Sequence, residues 1–265
     1  MLKQARLAYF IGIGGIGLSA IARMFLAGGK SVSGSDRSPS LVTTELEKLG
    51  AKIFIGHQAE NLPADCDLVI YTNAVLADNP ELLEAKRRGI TTISYPEALG
   101  QISADKFTIA IAGTHGKTTT TAMTSDVLLA GGLDPTVIVG SFLKSGTNFI
   151  AGQSEYLVVE ADEYMRAFLN LSPKILAINN IDRDHLDYYQ DLADIQNAFG
   201  DLVAKIPAAG WLICNPNDTH LLPVIKRAKC RSLSCPVKTT RIFLEPKRSH
   251  SLIICSAGQF LLAQR

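Results

Sequence analysis

The 265-residue sequence predicts an α/β protein with two consecutive parallel-sheet domains. Short apolar runs alternate with segments of helical spacing, which is the pattern of strands joined by crossover helices. Glycine-containing loops at residues 12–17 and 113–118 each follow an apolar run and precede a helical segment. Loops of this kind are typical of phosphate-binding sites. We therefore expect a Rossmann-like domain followed by a P-loop-type α/β nucleotide-binding domain.

Five strands and three helices are predicted in the first domain. The strands are short and mainly apolar, and they lie at Leu7–Ile13, Ser31–Ser35, Lys52–Ile55, Leu68–Tyr71 and Thr91–Ser94. The helices have regularly spaced apolar residues and are each followed by a glycine, at Leu18–Ala27, Leu41–Leu49 and Pro80–Arg88. This alternation favours a parallel sheet with helices on both faces.

A boundary is predicted near residues 100–106, and the same criteria then predict a second domain. Its strands are expected at Phe107–Ala112, Tyr156–Glu160, Lys174–Ile178 and Trp211–Cys214, and its helices at Thr118–Ala130 and Leu192–Ile206. The predicted domains are thus residues 1–102 and 103–229. Residues 230–265 are left as a basic tail without an assigned fold, because residues 226–265 contain nine Lys or Arg and a single acidic residue, Glu245.

The composition excludes several classes of protein. A content of 47% hydrophobic and 19% charged residues is that of a globular chain, and a net charge of +1 gives no reason to expect nucleic acid or a membrane as partner. Five cysteines without a CxxC pair argue against a disulfide framework or a zinc site. Residues 7–22 could be read as the apolar region of a signal peptide, but this stretch contains four ordered glycines. We expect a cytoplasmic protein.

The first glycine loop has the pattern of a dinucleotide fingerprint. Gly12, Gly14, Gly15 and Gly17 lie between the first strand and the first helix, where the backbone can approach a diphosphate. Asp36, at the end of the second strand, is placed to contact a ribose. These residues predict a nucleotide diphosphate site, for which NAD is the simplest occupant and an oxidoreductase the simplest function. A tight turn without a ligand is the alternative.

The second glycine loop has a more specific pattern. Residues 113–119 read GTHGKTT, a shorter form of the usual phosphate loop, since Ile111 stands where the first glycine would be. Backbone N–H groups would hold phosphate, Lys117 would reach the β- and γ-phosphates, and Thr118 would hold Mg²⁺. The residues expected to bind ATP are Gly113, Thr114, His115, Gly116, Lys117, Thr118, Thr119 and Asn180.

Two further polar residues follow strands of the same predicted sheet. Glu160 ends one strand, and His185 lies in the polar loop after the next. Because the carboxyl ends of parallel strands meet at one edge of the sheet, both are expected beside the phosphate loop. Thr118 and Glu160 are therefore predicted to bind Mg²⁺, and His185 is predicted to be a functional residue.

Taken in order, these motifs resemble those of the Mur ligases of peptidoglycan synthesis. The segments that carry the resemblance are IGIGGIGLSAIA at 11–22, AGTHGKTTTTAM at 112–123, GSFLKSGTNFIAG at 140–152, EADEY at 160–164 and NNIDRDHLDYY at 179–189. The resemblance implies that the first glycine loop binds the UDP of a UDP-sugar rather than NAD. It extends the UDP-sugar contacts to Asp36, Thr72, Asn73, Lys144 and Asn148, although a solvated loop is equally consistent with Lys144 and Asn148.

The resemblance also implies an activity: ATP-dependent amide formation between L-alanine and the lactyl carboxylate of UDP-N-acetylmuramate, through an acyl phosphate. For this activity it makes Lys117, Glu160 and His185 the expected catalytic residues, and it adds His185, through a second Mg²⁺, to Thr118 and Glu160 as an expected metal ligand. Residues 195–201 contain no lysine, as in the alanine-adding branch of the family, whereas Tyr164 is shared with the branch that recycles murein peptide. Both branches stay open.

Family members also have a third domain, and the motifs stop near Lys229. We therefore expect a truncated chain with an incomplete ATP-binding domain and little activity alone, which leaves a non-catalytic UDP-sugar or nucleotide-binding remnant as an alternative. We expect that the unusual tail results from a frameshift; the alternative is that the chain is a divergent short form with a basic tail.

Overall fold

The computed structural model describes residues 2–234, 250–251 and 263–264. The chain divides into two compact units, of which the first contains Met1–Ile102 and Gly140–Ala151 and the second contains Ser103–Val139 and Gly152–Arg265. Residues 140–151 thus belong to the first unit. The predicted division at residue 102 places them in the second domain.

The first unit is built on a five-stranded parallel sheet with the strand order β3-β2-β1-β4-β5. The strands are β1 (Leu7–Ile11), β2 (Ser31–Asp36), β3 (Lys52–Ile55), β4 (Leu68–Tyr71) and β5 (Thr91–Ser94). The central strand β1 is fully buried at Tyr9, Phe10 and Ile11. A strand that is covered on both faces has a continuous apolar sequence, and for this reason β1 could be predicted from the sequence.

Four α-helices and one short 3-10 helix accompany this sheet: α1 (Ile16–Ala27), α2 (Leu41–Lys48), the 3-10 helix Ala59–Asn61, α3 (Pro80–Arg87) and α4 (Tyr95–Ala104). Local capping explains where two of them begin. The Ser40 side chain accepts from the Thr43 backbone N–H, and the Asn79 side chain accepts from two backbone N–H groups of α3. Helix α4 was not predicted and occupies much of the segment expected to be a domain boundary.

In the second unit, parallel strands follow the order β12-β11-β10-β6-β9-β7. The strands are β6 (Phe107–Ala112), β7 (Thr136–Ile138), β9 (Tyr156–Glu160), β10 (Ile175–Ile178), β11 (Trp211–Cys214) and β12 (Arg231–Ser234). The helices are α5 (Lys117–Ala130), the 3-10 helix Tyr164–Asn170, α6 (Leu192–Ala204) and α7 (Leu222–Ile225). The predicted parallel α/β architecture is confirmed, while β7, α7 and β12 are additions to it.

The segment 140–151 joins the first unit through a buried amide. The Asn148 side chain is fully buried, and its Nδ2 donates to the carbonyl of Ile16 at 2.5 Å and to Ser19 Oγ at 2.9 Å. The short strand β8 (Phe149–Ile150) also contacts α1. The segment is therefore fastened to the first turn of the helix that follows the glycine loop.

The predicted basic tail begins with regular structure, because β12 pairs in parallel with β11. Two-residue strands β13 (His250–Ser251) and β14 (Ala263–Gln264) pair antiparallel. The remainder of the tail prediction lies outside the described residues. Within the described part of the chain, no helix has the length and apolar character needed to cross a membrane.

Candidate functional site

The loop between β6 and α5 has a backbone that requires glycine at two positions. Gly113 and Gly116 have φ values of +132° and +78°, which side chains other than glycine rarely adopt. A Cβ atom on Gly113 would lie 3.0 Å from Cβ of Asn179 and 3.1 Å from the backbone nitrogen of Asn180. The loop thus runs tightly against the residues that follow β10 and has no room for a side chain at Gly113.

Hydrogen bonds tie this loop to the segment after β10. His115 N–H donates to Asn180 Oδ1 at 2.9 Å, and Asn179 Nδ2 donates to the His115 carbonyl at 3.2 Å. Thr114 Oγ1 accepts from the backbone N–H of Asp182 at 2.9 Å. Asn180, predicted as an ATP contact, here holds the loop itself, and Asn179 shares this role without having been predicted. The ATP contact of Asn180 stays a prediction.

Lys117, the first residue of α5, directs its ammonium group back into the loop. Nζ donates to the carbonyls of Gly113 at 2.8 Å and Thr114 at 3.2 Å, and to Glu163 Oε1 at 3.0 Å. The Glu163 side chain is only 2% exposed. Burial raises the pKa of Glu163, and the neighbouring Lys117 acts in the opposite direction. Glu163 was not predicted as a site residue.

Thr118 and Glu160 form a close pair. Thr118 Oγ1 donates to the Glu160 carboxylate at 3.0–3.1 Å, and Glu160 lies opposite Ile111 of β6 in the sheet register. A hydroxyl and a carboxylate beside a phosphate loop form an oxygen donor set that suits Mg²⁺. The structure therefore brings together these two of the three predicted metal ligands, and the residues fit the ion.

His185, the third predicted ligand, lies beside a different carboxylate. Its Nε2 is 4.0 Å from Glu163 Oε1 and 4.0 Å from Asp184 Oδ2. Ligand atoms of these three residues all lie within 4.8 Å of one another, so the group could hold a cation. His185 also has a left-handed φ of +52°, which indicates a backbone constrained by its surroundings.

An aromatic side chain covers the imidazole. The rings of Tyr164 and His185 have centroids 4.9 Å apart, and the Tyr164 hydroxyl donates to Asp187 at 3.0 Å. This hydrogen bond raises the pKa of Tyr164. Met165 and Arg166, which follow Tyr164, both adopt left-handed backbone conformations. The turn beside Glu163 and His185 therefore has a backbone conformation that residues other than glycine rarely adopt.

The glycine loop of the first unit is equally tight. Gly12 has a φ of +83°, and a Cβ atom there would lie 2.5 Å from Cγ2 of Thr72. Gly14 N–H donates to Asp36 Oδ2 at 2.8 Å, so the predicted ribose-binding acid lies directly over the predicted diphosphate loop. A Cβ atom on Gly17 would lie 2.5 Å from Cζ of Tyr95. Gly17 therefore permits close packing of α1 against Tyr95.

The start of this loop borders a cavity of about 600 Å³ in the first unit, and Gly17 is not among the residues that line it. The predicted residues among those that line it are Gly12, Gly14, Gly15, Asp36 and Thr72. The lining also includes residues that were not predicted, among them Arg37, His57 and Asn79. His57 follows β3 at the same sheet edge as Gly12 and Asp36, and this topological position is the signal that could have identified it.

The other predicted residues occupy varied environments. His115 and Thr119 are exposed around the start of α5, and Asn73 is exposed on the loop after β4. Lys144 is exposed, whereas Asn148 is buried against α1. The nucleotide and sugar contacts assigned to these residues stay predictions.

Two family models match the chain in succession. The first, described as the Mur ligase family catalytic domain, matches residues 8–107, and the second, the Mur ligase middle domain, matches residues 111–251. The second match continues past residue 229, where recognisable motifs end in the sequence.

Two curated proteins are similar in sequence to most of this chain. The chain is 45% identical over 228 residues to a UDP-N-acetylmuramate–L-alanine ligase of Clostridium botulinum and 47% identical over 223 residues to one of Geotalea uraniireducens. The alignments cover 85% and 83% of this chain but 50% and 48% of those proteins, so the chain spans about half the length of the curated relatives it matches.

Two solved structures resemble the chain over most of its length. The UDP-N-acetylmuramate–alanine ligase of Thermotoga maritima has 30% identity and a TM-score of 0.75, covering 98% of this chain and 60% of that one. The UDP-N-acetylmuramate:L-alanyl-γ-D-glutamyl-meso-diaminopimelate ligase of Neisseria meningitides has 25% identity and a TM-score of 0.80, covering 95% and 85%.

Proposed function

Because the chain belongs to the Mur ligase family, we propose that it supplies the UDP-sugar-binding and ATP-binding parts of an amide ligase. The proposed reaction joins L-alanine to the lactyl carboxylate of UDP-N-acetylmuramate in peptidoglycan precursor synthesis. The observation that carries the proposal is the arrangement of Lys117, Thr118 and Glu160 around a glycine loop at the start of α5. The curated relatives named for this reaction support the choice of substrates.

The proposed reaction brings two anions together, so their negative charge must be neutralised. The lactyl carboxylate must attack the γ-phosphorus of ATP, which forms an acyl phosphate and releases ADP, and the amine of L-alanine then displaces inorganic phosphate. The carboxylate and the γ-phosphate are both anions and repel each other. Lys117 and the backbone N–H groups at the start of α5 are placed to neutralise phosphate oxygens. Thr118 and Glu160 would hold Mg²⁺, and His185 would serve a second ion. When bound, Mg²⁺ would neutralise phosphate charge and act as a Lewis acid.

The first unit is proposed to hold the UDP of the sugar substrate rather than NAD. The glycine loop and the cavity beside it have the size and backbone geometry for a nucleoside diphosphate. Family membership favours the UDP-sugar among such ligands. A cytoplasmic location is also part of the proposal, supported by the buried free thiols of Cys66 and Cys214.

The murein-peptide recycling ligase is the second candidate. Tyr164 and the similarity to the Neisseria structure favour it. Both candidates use UDP-N-acetylmuramate, and they differ in the amine that they attach.

A chimera tests the proposed reaction. Residues 1–229 are joined to the remaining part of the Thermotoga maritima relative, and phosphate release is measured with ATP, Mg²⁺, UDP-N-acetylmuramate and L-alanine. We expect alanine-dependent turnover, and we expect it to be lost in the Glu160→Gln chimera. No turnover in a folded chimera, under conditions where the parent relative is active, would contradict the proposal. The equivalent chimera with the Neisseria relative, supplied with its tripeptide, tests the second candidate, which predicts the higher activity there.

A further inference from the structure

A fully buried carboxylate directly follows Asn79 and Pro80, two of the residues that line the cavity of the first unit. Glu81, near the start of α3, accepts hydrogen bonds from the Tyr9 hydroxyl at 2.8 Å, Asn61 Nδ2 at 2.9 Å and the Gln58 backbone N–H at 3.4 Å. Ser35 Oγ also donates to it at 2.5 Å. Among the described residues, its hydrogen-bond partners include no Lys or Arg. A buried carboxylate is costly to maintain without a cation, and the one described partner here that can become a cation is the ring of His57, 3.0 Å away and charged only if protonated.

The fifth hydrogen-bond partner of Glu81 is the imidazole of His57. Its Nδ1 lies 3.0 Å from Glu81 Oε2 and 2.9 Å from Ser35 Oγ. Ser35 has one hydroxyl proton and donates it to Glu81, so its oxygen accepts from the imidazole. Both neighbours of Nδ1 are therefore acceptors, and these contacts assign the proton of a neutral ring to Nδ1. Nε2 is then a hydrogen-bond acceptor.

The position of His57 in the fold indicates which part of a ligand it would meet. The glycine loop follows β1, Asp36 ends β2 and His57 follows β3, and these strands are neighbours in the order β3-β2-β1. All three positions border the same cavity. A nucleoside diphosphate with its phosphates on the glycine loop and its ribose at Asp36 extends its base toward β3 and His57.

We propose that His57 recognises the uracil base by accepting its N3–H through Nε2, and that Glu81 is the positioning residue that holds this tautomer. Uracil carries a proton on N3, whereas the N3 of cytosine carries a lone pair. An acceptor at Nε2 therefore selects uridine over cytidine diphosphates. The inference rests on the proposed UDP-sugar function of the first unit and adds the residue that reads the base.

Calorimetric titration of the 265-residue protein with UDP and with CDP tests the proposal. The wild-type protein is expected to bind UDP about tenfold or more tightly than CDP, the effect of one discriminating hydrogen bond. His57→Phe keeps a planar ring without nitrogen atoms, and we expect it to lower UDP affinity about tenfold and to bring the two affinities close to equality. An unchanged UDP preference in folded His57→Phe would overturn the proposal.

Glu81→Gln provides a sharper test of the tautomer. Asn61 and Gln58 donate to the Oε1 position, so the amide oxygen must stay there and the NH₂ group must replace Oε2 beside His57. That NH₂ donates to Nδ1, which moves the ring proton to Nε2 and creates a donor suited to the N3 of cytosine. We expect the UDP preference to shift toward CDP. Retention of the full UDP preference in a folded Glu81→Gln protein would overturn the role of Glu81.

The outcomes separate the two levels of the proposal. If the wild-type protein binds neither UDP nor UDP-N-acetylmuramate, the proposed function of the first unit fails together with the role of His57. If it binds UDP but His57→Phe leaves the preference unchanged, the base-recognition proposal fails alone. If Glu81→Gln does not fold, as judged by circular dichroism and thermal melting, the His57→Phe result decides.

Discussion

Lys117 and Glu163 form an ion pair inside the phosphate loop, with Nζ 2.9 Å from Oε2. The same ammonium group donates to the carbonyls of Gly113 and Thr114, so its donors are engaged by the protein. Phosphate oxygens that bind Lys117 must therefore compete with a buried carboxylate. This relationship makes Glu163 a counter-ion whose removal has a predictable effect on nucleotide affinity.

Glu163→Gln is expected to bind Mg·ATP severalfold more tightly than the wild-type protein. The neutral amide competes less strongly with phosphate for Lys117, because hydrogen bonds between two charged groups are the stronger ones. Calorimetric titration with Mg·ATP provides the affinities. A double-mutant cycle with Lys117→Met is the control, since the gain should vanish when the ammonium group is absent. Equal or weaker binding by Glu163→Gln would show that the carboxylate assists ATP binding.

Lys117→Ala should abolish most catalysis without affecting the sugar substrate. In the Thermotoga chimera, we expect turnover to fall by roughly 10³-fold, because the cation facing the transferred phosphoryl group is lost. Affinity for UDP-N-acetylmuramate should stay within about twofold, since its proposed site is in the first unit. Steady-state kinetics and calorimetry measure the two quantities. Loss of both together would identify Lys117 as a residue required for folding.

The Thr118–Glu160 pair predicts a defect in magnesium dependence. Thr118→Ala and Glu160→Gln each remove an oxygen ligand, and we expect the Mg²⁺ concentration that half-saturates ATP binding to rise about tenfold, by analogy with the loss of other charge-assisted contacts. Thr118→Ser keeps the hydroxyl and serves as the matched control with near wild-type behaviour. Magnesium titrations followed with a fluorescent ATP analogue make the measurement. The same Mg²⁺ requirement in all variants would exclude this pair as the ion's site.

Gly12→Ala should weaken UDP-sugar binding through sterics. The new methyl group would sit 2.5 Å from Thr72 Cγ2 at a position whose φ is +83°. Gly29 has a similar φ of +72° with no atom within 4 Å of an added Cβ, so Gly29→Ala isolates the backbone strain of about 1–2 kcal/mol. We expect Gly12→Ala to lower both thermal stability and UDP-N-acetylmuramate affinity, and Gly29→Ala to lower stability only. Equal affinities in the two variants would argue against a ligand at the Gly12 loop.

Much of the fold could be predicted because most of its strands are short apolar runs, and the central ones are almost fully buried, whereas the edge strand Lys52–Ile55 is partly exposed. Lys52–Ile55, Leu68–Tyr71 and Phe107–Ala112 have the predicted boundaries, since each is a short apolar run with polar or glycine residues beside it. Helix α4 was missed because Pro96 and Gly100 resemble a linker in sequence. Proline is compatible with the first turn of a helix, and the packed unit tolerates the glycine.

The candidate site was less predictable where it depends on contacts between distant residues. Glu160 could be identified from its position at the end of a strand. The contact of Glu163 with Lys117 depends on the irregular turn through Met165 and Arg166, whose left-handed conformations no sequence pattern indicates. Asn148 was predicted to face the sugar, and its burial against Ile16 and Ser19 depends on long-range packing.

Calorimetric titration of the 265-residue protein tests most directly which ligand the first unit binds. We predict that UDP-N-acetylmuramate binds with measurable heat and that NADH, added at the same concentrations, does not. Mg·ATP should bind independently, with an affinity that falls in Lys117→Ala while the sugar titration is unchanged. Micromolar binding of NADH without binding of UDP-N-acetylmuramate would contradict the ligase assignment.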